Sequence, residues 1–214
     1  MLETVGKSVG KLVTDVASDV FKLSDLCQVV KPCDYDKTLS DNYTLAEDGE
    51  EIYYLLKSRT DEYCFTNRAL IVLDSERATD GGKSIIRYEF SNSVLEDIRM
   101  NTPNRVDLSA ELIFTLDKNT YTISVDRSYT KSLNIIYKIL TEIELMQIRA
   151  SKSFEICEKS VKYATSALGK LAQTKDILGL YTNLVQFNED YLNNSYEYSF
   201  GYDLTELFKK YIPR

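Results

Sequence analysis

The sequence predicts an α+β protein: seven short antiparallel strands forming a sandwich or small barrel, closed by one amphipathic helix and flanked by helical segments. Three observations carry this. Between residues 52 and 125, short runs rich in branched and aromatic residues alternate with turn signals at close intervals, the pattern of antiparallel sheets. Directly after them, Leu133, Ile136, Tyr137, Leu140 and Ile143 recur at helical spacing. With 214 residues, 43% hydrophobic and 28% charged, the chain has the composition of an ordinary soluble globular protein.

Four regions are expected: a helix over 1–31, a linker over 32–48, the strand-rich unit over 49–149 and a helical extension over 150–214. In the first, Leu2, Val9, Val16, Leu23 and Val30 fall seven apart, and Val5, Leu12 and Leu26 fill the second seam position. Asp19 is the polar intruder there. This is the signature of a helix that packs on another helix. The stripe suits a core of its own chain, a second copy or a membrane surface. The polar face mixes Lys7, Lys11 and Lys22 with Glu3, Asp15, Asp19 and Asp25, whereas membrane-surface helices carry a strongly basic face. Lys31-Pro32 ends the helix, because the residue before proline disfavours the helical region. Residues 33–51 are polar and turn-rich, with one short ordered turn expected over 43–46.

The strands are expected at 52–57, 61–66, 69–74, 84–90, 95–100, 110–116 and 120–125. Thr66-Asn67-Arg68 turns the second into the third, since asparagine tolerates left-handed backbone. The third, Ala69 to Asp74, is apolar up to its last residue and predicts burial on both faces. Asp126 or Ser128 caps the closing helix. Two further helices, 154–171 and 177–192, read as an antiparallel hairpin ended by Asn193-Asn194. Tyr196, Tyr198, Phe200 and Tyr202 then alternate in a run expected to serve as a packing patch or protein interface, and Asp203 caps a last helix over 204–212.

A net charge of −7 disfavours broad nucleic-acid binding, which needs a basic face. No histidine is present, so the commonest general base and zinc ligand is missing. No catalytic constellation, cofactor loop or metal site is expected. Asp80-Gly81-Gly82-Lys83 lacks the spacing of a phosphate loop. Glu47 with Glu50, and Glu142 with Glu144, read as solvated surface charge. Cys27, Cys33, Cys64 and Cys157 have no paired spacing, which points to a reducing, cytoplasmic setting, with Cys64 in the core. The first residues lack a signal-peptide pattern, and no run is long enough to span a membrane. An anion or lipid site would draw on Lys57, Arg59, Arg68 and Lys83, with Arg87 near the last. Asp61, Glu62 and Asp74 are close enough in sequence to neutralise Arg59 and Arg68.

Residues 49–148 resemble the bacterial pleckstrin-homology (PH)-like domain family. The resemblance rests on Asp61 with Phe65-Thr66-Asn67-Arg68, on the run Leu70 to Asp74, and on Gly81-Gly82-Lys83. Tyr88-Glu89-Phe90 and Asp107-Leu108-Ser109-Ala110-Glu111-Leu112 extend it. It implies a seven-stranded, strongly bent PH-like barrel closed by a C-terminal helix, and binding or assembly rather than catalysis. Some members carry a helical hairpin similar to residues 150–192, and bacterial members often form homo-oligomers. The polar turn Ser75 to Asp80 is longer than in the family, and the N-terminal heptad is not a family feature. The expected function is therefore a self-assembling interaction or scaffolding module, its partner a second copy or another protein. The alternative is a peripheral membrane adaptor that holds anionic head groups through the basic cluster.

Overall fold

The computed structural model describes residues 26–74, 82–104, 108–170, 177–200 and 203–212. Its first sheet is antiparallel in chain order: β1 (Gln28–Val29), β2 (Ile52–Lys57), β3 (Glu62–Thr66), β4 (Ala69–Asp74) and β5 (Ser84–Glu89). The second contains β6 (Leu95–Asn101), β7 (Ser109–Leu116) and β8 (Asn119–Asp126). Asp117 and Lys118, both at positive φ (47° and 72°), make the two-residue β7–β8 turn. That conformation matches the natural twist of a hairpin. All seven expected strands are present to within two residues at their ends. The described residues nevertheless form eight strands in two sheets, because a short strand precedes the expected set.

Residues 26–30 are extended where the heptad predicted helix. The Cys27 amide donates to the Ser124 carbonyl at 2.8 Å, in parallel with β8. Gln28 and Val29 then pair with Lys57 and Leu56 of β2, and the Val30 amide reaches the Leu55 carbonyl at 2.9 Å. The edges of β2 and β8 offer ladder groups that must find partners, and a chain segment laid between them satisfies both. Tertiary pairing outweighed the local helical period. The remaining heptad positions, Leu2 to Leu23, lie outside the described residues.

The main core lies between the two sheets and the closing helix, with Leu56, Phe65, Leu70, Phe114, Ile123 and Leu133 all buried. β4 is buried on both faces, as its sequence predicts. Leu70 and Val72 belong to the main core, while Ile71 and Leu73 join Ile52, Leu55 and Cys64 in a second cluster on the opposite face. Residues 32–48, expected as a linker, are the cover of that second cluster. They form three 3-10 turns, Pro32–Lys37, Ser40–Tyr43 and Ala46–Asp48, with Val30 and Tyr35 packed on the apolar surface. An apolar outer sheet face is costly to leave in water, so the polar-looking segment is held down over it.

Helix α1 (Thr130–Lys170) runs unbroken for 41 residues, through the expected boundary at 149/150. Before it, the Asp126 carboxylate accepts from the Ser128 amide at 2.8 Å and caps the entry turn. Leu133, Ile136, Ile139, Leu140 and Ile143 pack in the core. Gln147 ends the contact: its amide donates to the Phe90 and Ser93 carbonyls, both at 2.9 Å, and its oxygen accepts from the Leu95 amide at 3.0 Å. Beyond it α1 projects from the barrel, and α2 (Ile177–Phe200) returns against it. Asn193-Asn194 does not stop α2. The chain comes back to the barrel as α3 (Thr205–Tyr211), whose Phe208 is fully buried beside Tyr53, with ring centroids 5.2 Å apart.

Candidate interaction surface

The register decides the fate of the basic candidates. Lys57, Arg59 and Lys83 belong to one end of the first sheet, because Lys57 pairs with Glu62 and Asp74 with Ser84. Arg68 sits in the turn before Ala69, which pairs with Glu89 at the opposite end. The four residues are not brought together. Lys57 Nζ lies 2.7 Å from Glu62 Oε1, and Arg68 donates to the Asp48 carbonyl at 3.4 Å. Arg59 is exposed and Lys83 half-buried. Arg87 is committed to carboxylates, at 3.0 Å from Glu50 and 2.5 Å from Glu89.

Glu50 is not surface charge. It is buried, and it receives Arg87 through both guanidinium nitrogens, the Thr66 hydroxyl at 2.5 Å and the Leu45 amide at 2.6 Å. Burial pushes its pKa up, but these donors outweigh burial and hold it below the usual carboxylate range. Glu62 is buried too. There burial is outweighed by Lys57 and by the hydroxyl and amide of Ser40, at 2.6 and 3.0 Å. The two carboxylates pin the cover segment from beneath, at Leu45 and Ser40, and are structural. Glu142 likewise accepts from Lys210 at 2.6 Å and from the Tyr211 hydroxyl, and so anchors α3. No alternation or periodicity marks these residues in sequence.

A hollow of about 400 Å³ opens between the β5–β6 turn and the middle of α1, lined by Ser93, Val94, Glu96, Glu144, Gln147 and Ile148. Burial, then Asp97 and Glu96, raise the pKa of Glu144. Among the described residues no His, Cys, Asp or Glu cluster could hold a metal. None of the described helices is long and apolar enough to cross a membrane. All four cysteines are free, and Cys64 is in the core as expected.

The hairpin presents the largest unpartnered apolar side chains. Cys157 of α1 and Asn188 of α2 are buried between the helices. In two antiparallel right-handed helices, the residue just before each inward-facing position falls on the same flank. Here those residues are Ile156 and Phe187, 60% and 67% exposed. Tyr163, 76% exposed, lies seven residues after Ile156. Leu180, Leu184, Phe187 and Tyr191 follow an i, i+4, i+7, i+11 spacing, a continuous stripe beside it. The opposite flank carries Glu158, Thr165, Thr182 and Glu189 among its exposed side chains, together with Phe154 and Leu178, 62% and 78% exposed. Both flanks therefore expose large apolar side chains, and the continuous stripe of Leu180, Leu184, Phe187 and Tyr191 belongs to the first.

Tyr196, Tyr198 and Phe200 continue α2 as helix. Tyr202 lies outside the described residues.

The family model described as the bacterial PH domain matches residues 20–144. The chain is 34% identical over 198 residues to the uncharacterized protein YvbH of Bacillus subtilis strain 168, covering 92% of this chain and 97% of that one. It is also similar to the crystal structure of a PH-domain-containing protein from Exiguobacterium sibiricum 255-15. That match has a TM-score of 0.75 and 34% identity, covering 88% of this chain and 100% of the other.

Proposed function

The chain belongs to the bacterial PH domain family, and on that footing we propose that it is a non-catalytic interaction module that assembles with a second copy of itself through the apolar flank of its hairpin. The observation that carries the reading is the exposure of Ile156, Tyr163, Leu180 and Phe187 on one side of two helices. Soluble proteins rarely leave so continuous an apolar surface in water without a partner. Two such hairpins, laid flank to flank about a twofold axis, bury both stripes in a four-helix bundle. The barrel is then a platform that aims the arm. Attachment to anionic lipid has less support: Lys57 is neutralised by Glu62, and Arg68 belongs to the far end of the sheet.

The test is solution mass as a function of concentration, for the full chain beside the double variant Ile156→Glu/Phe187→Glu. Both positions are exposed, so the variant keeps its fold. The expected result is concentration-dependent assembly of the parent and at least roughly tenfold weaker assembly of the variant. Identical behaviour of the two would remove the hairpin as the contact.

A further inference from the structure

We infer that the hollow between the β5–β6 turn and α1 is a binding site for a small organic cation, an ammonium or guanidinium group carried on an apolar body. The inference stands apart from the assembly reading above, since neither Ile156 nor Phe187 lines the hollow.

Size and rigidity are the first argument. A volume of about 400 Å³ lies within the range of small-molecule pockets. Its walls are fixed before any ligand arrives. Gln147 ties α1 to Phe90, Ser93 and Leu95. The Asn92 and Ser93 amides both donate to the Glu89 carbonyl, at 3.0 and 2.8 Å, and the Val94 amide donates to Asp117 Oδ1 at 2.8 Å. A pocket braced in this way asks little ordering of itself when a ligand binds.

Charge is the second. Glu96 and Glu144 are the charged residues that line the hollow, and no lysine or arginine joins them. Glu50, Glu62 and Glu142 each meet a lysine or arginine, whereas half-buried Glu144 has neither a cation nor a hydrogen-bond donor among the described residues. Burial, Asp97 and Glu96 all push its pKa up, with nothing to offset them. The backbone of β6 contributes to this field. Glu96 pairs with Thr115 but Arg99 with Ile113, so β6 carries one extra residue there, and Asp97 has a positive φ of 57°. Neighbours on a regular strand face opposite sides, yet at this bulge Glu96 and Asp97 both act on Glu144. Asp97 has a cation of its own in Arg99, at 3.6 Å.

Apolar surface is the third. Val94 and Ile148 line the hollow with exposed hydrocarbon, above the buried Leu95. An inorganic cation would leave these walls in water. A hydrocarbon would bury Glu144 further without giving it a partner. A cation on an apolar body meets both needs, and the negative rim turns anions away.

The experiment titrates the full chain, labelled with nitrogen-15, and follows its amide resonances. The probes are 2-phenylethylamine, its neutral analogue 2-phenylethanol, the anion phenylacetate, and ethylamine, which has the charge without the ring. The amine is expected to give saturable shifts over residues 91–96 and 144–151, with a Kd of about 1 mM or tighter. Each of the other probes is expected to bind at least roughly tenfold more weakly. Glu144→Gln should weaken the amine by about tenfold, and Glu96→Gln should act in the same direction. Glu144 has no partner to lose and Glu96 is exposed, so both variants keep the fold. Glu189→Gln, on exposed α2 surface, should change nothing. Absence of saturable shifts around the hollow would overturn the inference. So would equal binding of the alcohol, which would make the carboxylates irrelevant, or equal binding of ethylamine, which would make the apolar walls so. Shifts that ignore Glu144→Gln but respond to Glu189→Gln would show a diffuse attraction of cations to an acidic protein, and no site.

Discussion

The Asn67 side chain donates to Asp203 Oδ1 at 2.8 Å across 136 residues of sequence. The same nitrogen reaches the Thr205 hydroxyl at 3.1 Å, the Asn67 carbonyl accepts from the Leu204 amide at 2.7 Å, and its side-chain oxygen accepts from the Glu51 amide. One turn residue thus ties the cover segment, the barrel and the last helix together. Asn67→Ala leaves several of these groups without partners and should cost about 2 kcal/mol. Phe208→Ala opens a cavity in the main core and should cost about 4 kcal/mol. Urea denaturation of each variant beside the parent gives the values; a Phe208→Ala loss under about 1 kcal/mol would mean that α3 does not seal the core.

The Glu50–Arg87 pair offers a second test. Glu50 is shielded from solvent, and Arg87 is mostly so. Arg87→Met strands a buried carboxylate and should cost about 3 kcal/mol. The double variant Glu50→Gln/Arg87→Met should recover part of that loss, because the stranded charge is gone. Single-variant losses that simply add in the double variant would contradict the pairing.

Acid should act through the same carboxylates. Glu50 and Glu62 have native pKa values below their ordinary range, so their contribution is complete above about pH 4.5 and is lost as pH falls through the native values. The urea midpoint should be flat from neutral pH down to about pH 5 and should drop below that. Glu62→Gln should lower the plateau and flatten the acid limb. Glu144, raised by burial and by Asp97 and Glu96, has the opposite sign: its contribution is present at low pH and lost as pH rises through the raised value.

Thiol reactivity checks the burial pattern. Cys33 is exposed, whereas Cys27, Cys64 and Cys157 are buried, and burial raises the pKa of Cys64 and Cys157. A thiolate reagent should therefore modify one cysteine quickly in the native protein and four after unfolding. Fast modification of Cys157 would show that the hairpin opens without global unfolding.

The strands and the closing helix were legible because alternation, branched residues and turn chemistry act locally and agree with the fold. What failed depends on contacts far away in sequence. Residues 26–30 follow a helical period, yet they lie between two sheet edges that only the folded barrel creates. Residues 32–48 look like a linker because most of their side chains are polar; their role comes from the apolar outer face of β2–β4 beneath them. Glu50 reads as solvated until Arg87, Thr66 and Leu45 converge on it. Asn193-Asn194 ends a helix by propensity alone, but α2 continues to Phe200. In the hairpin, the two helices were visible, while the placing of the Leu180–Tyr191 stripe beside Ile156 and Tyr163 required knowing that Cys157 and Asn188 are both buried between them.

The return of α3 makes the folded unit discontinuous: the barrel draws on residues 26–148 and again on 203–212, and the hairpin is an excursion between two fixed anchors. Truncation after Ile148 would remove Phe208 from the core along with the arm, so the barrel is not separable at that point. The arm can instead change length freely if both legs change together, since loop-closure entropy grows only with the logarithm of the excursion. The length of the arm is thereby uncoupled from the stability of the barrel.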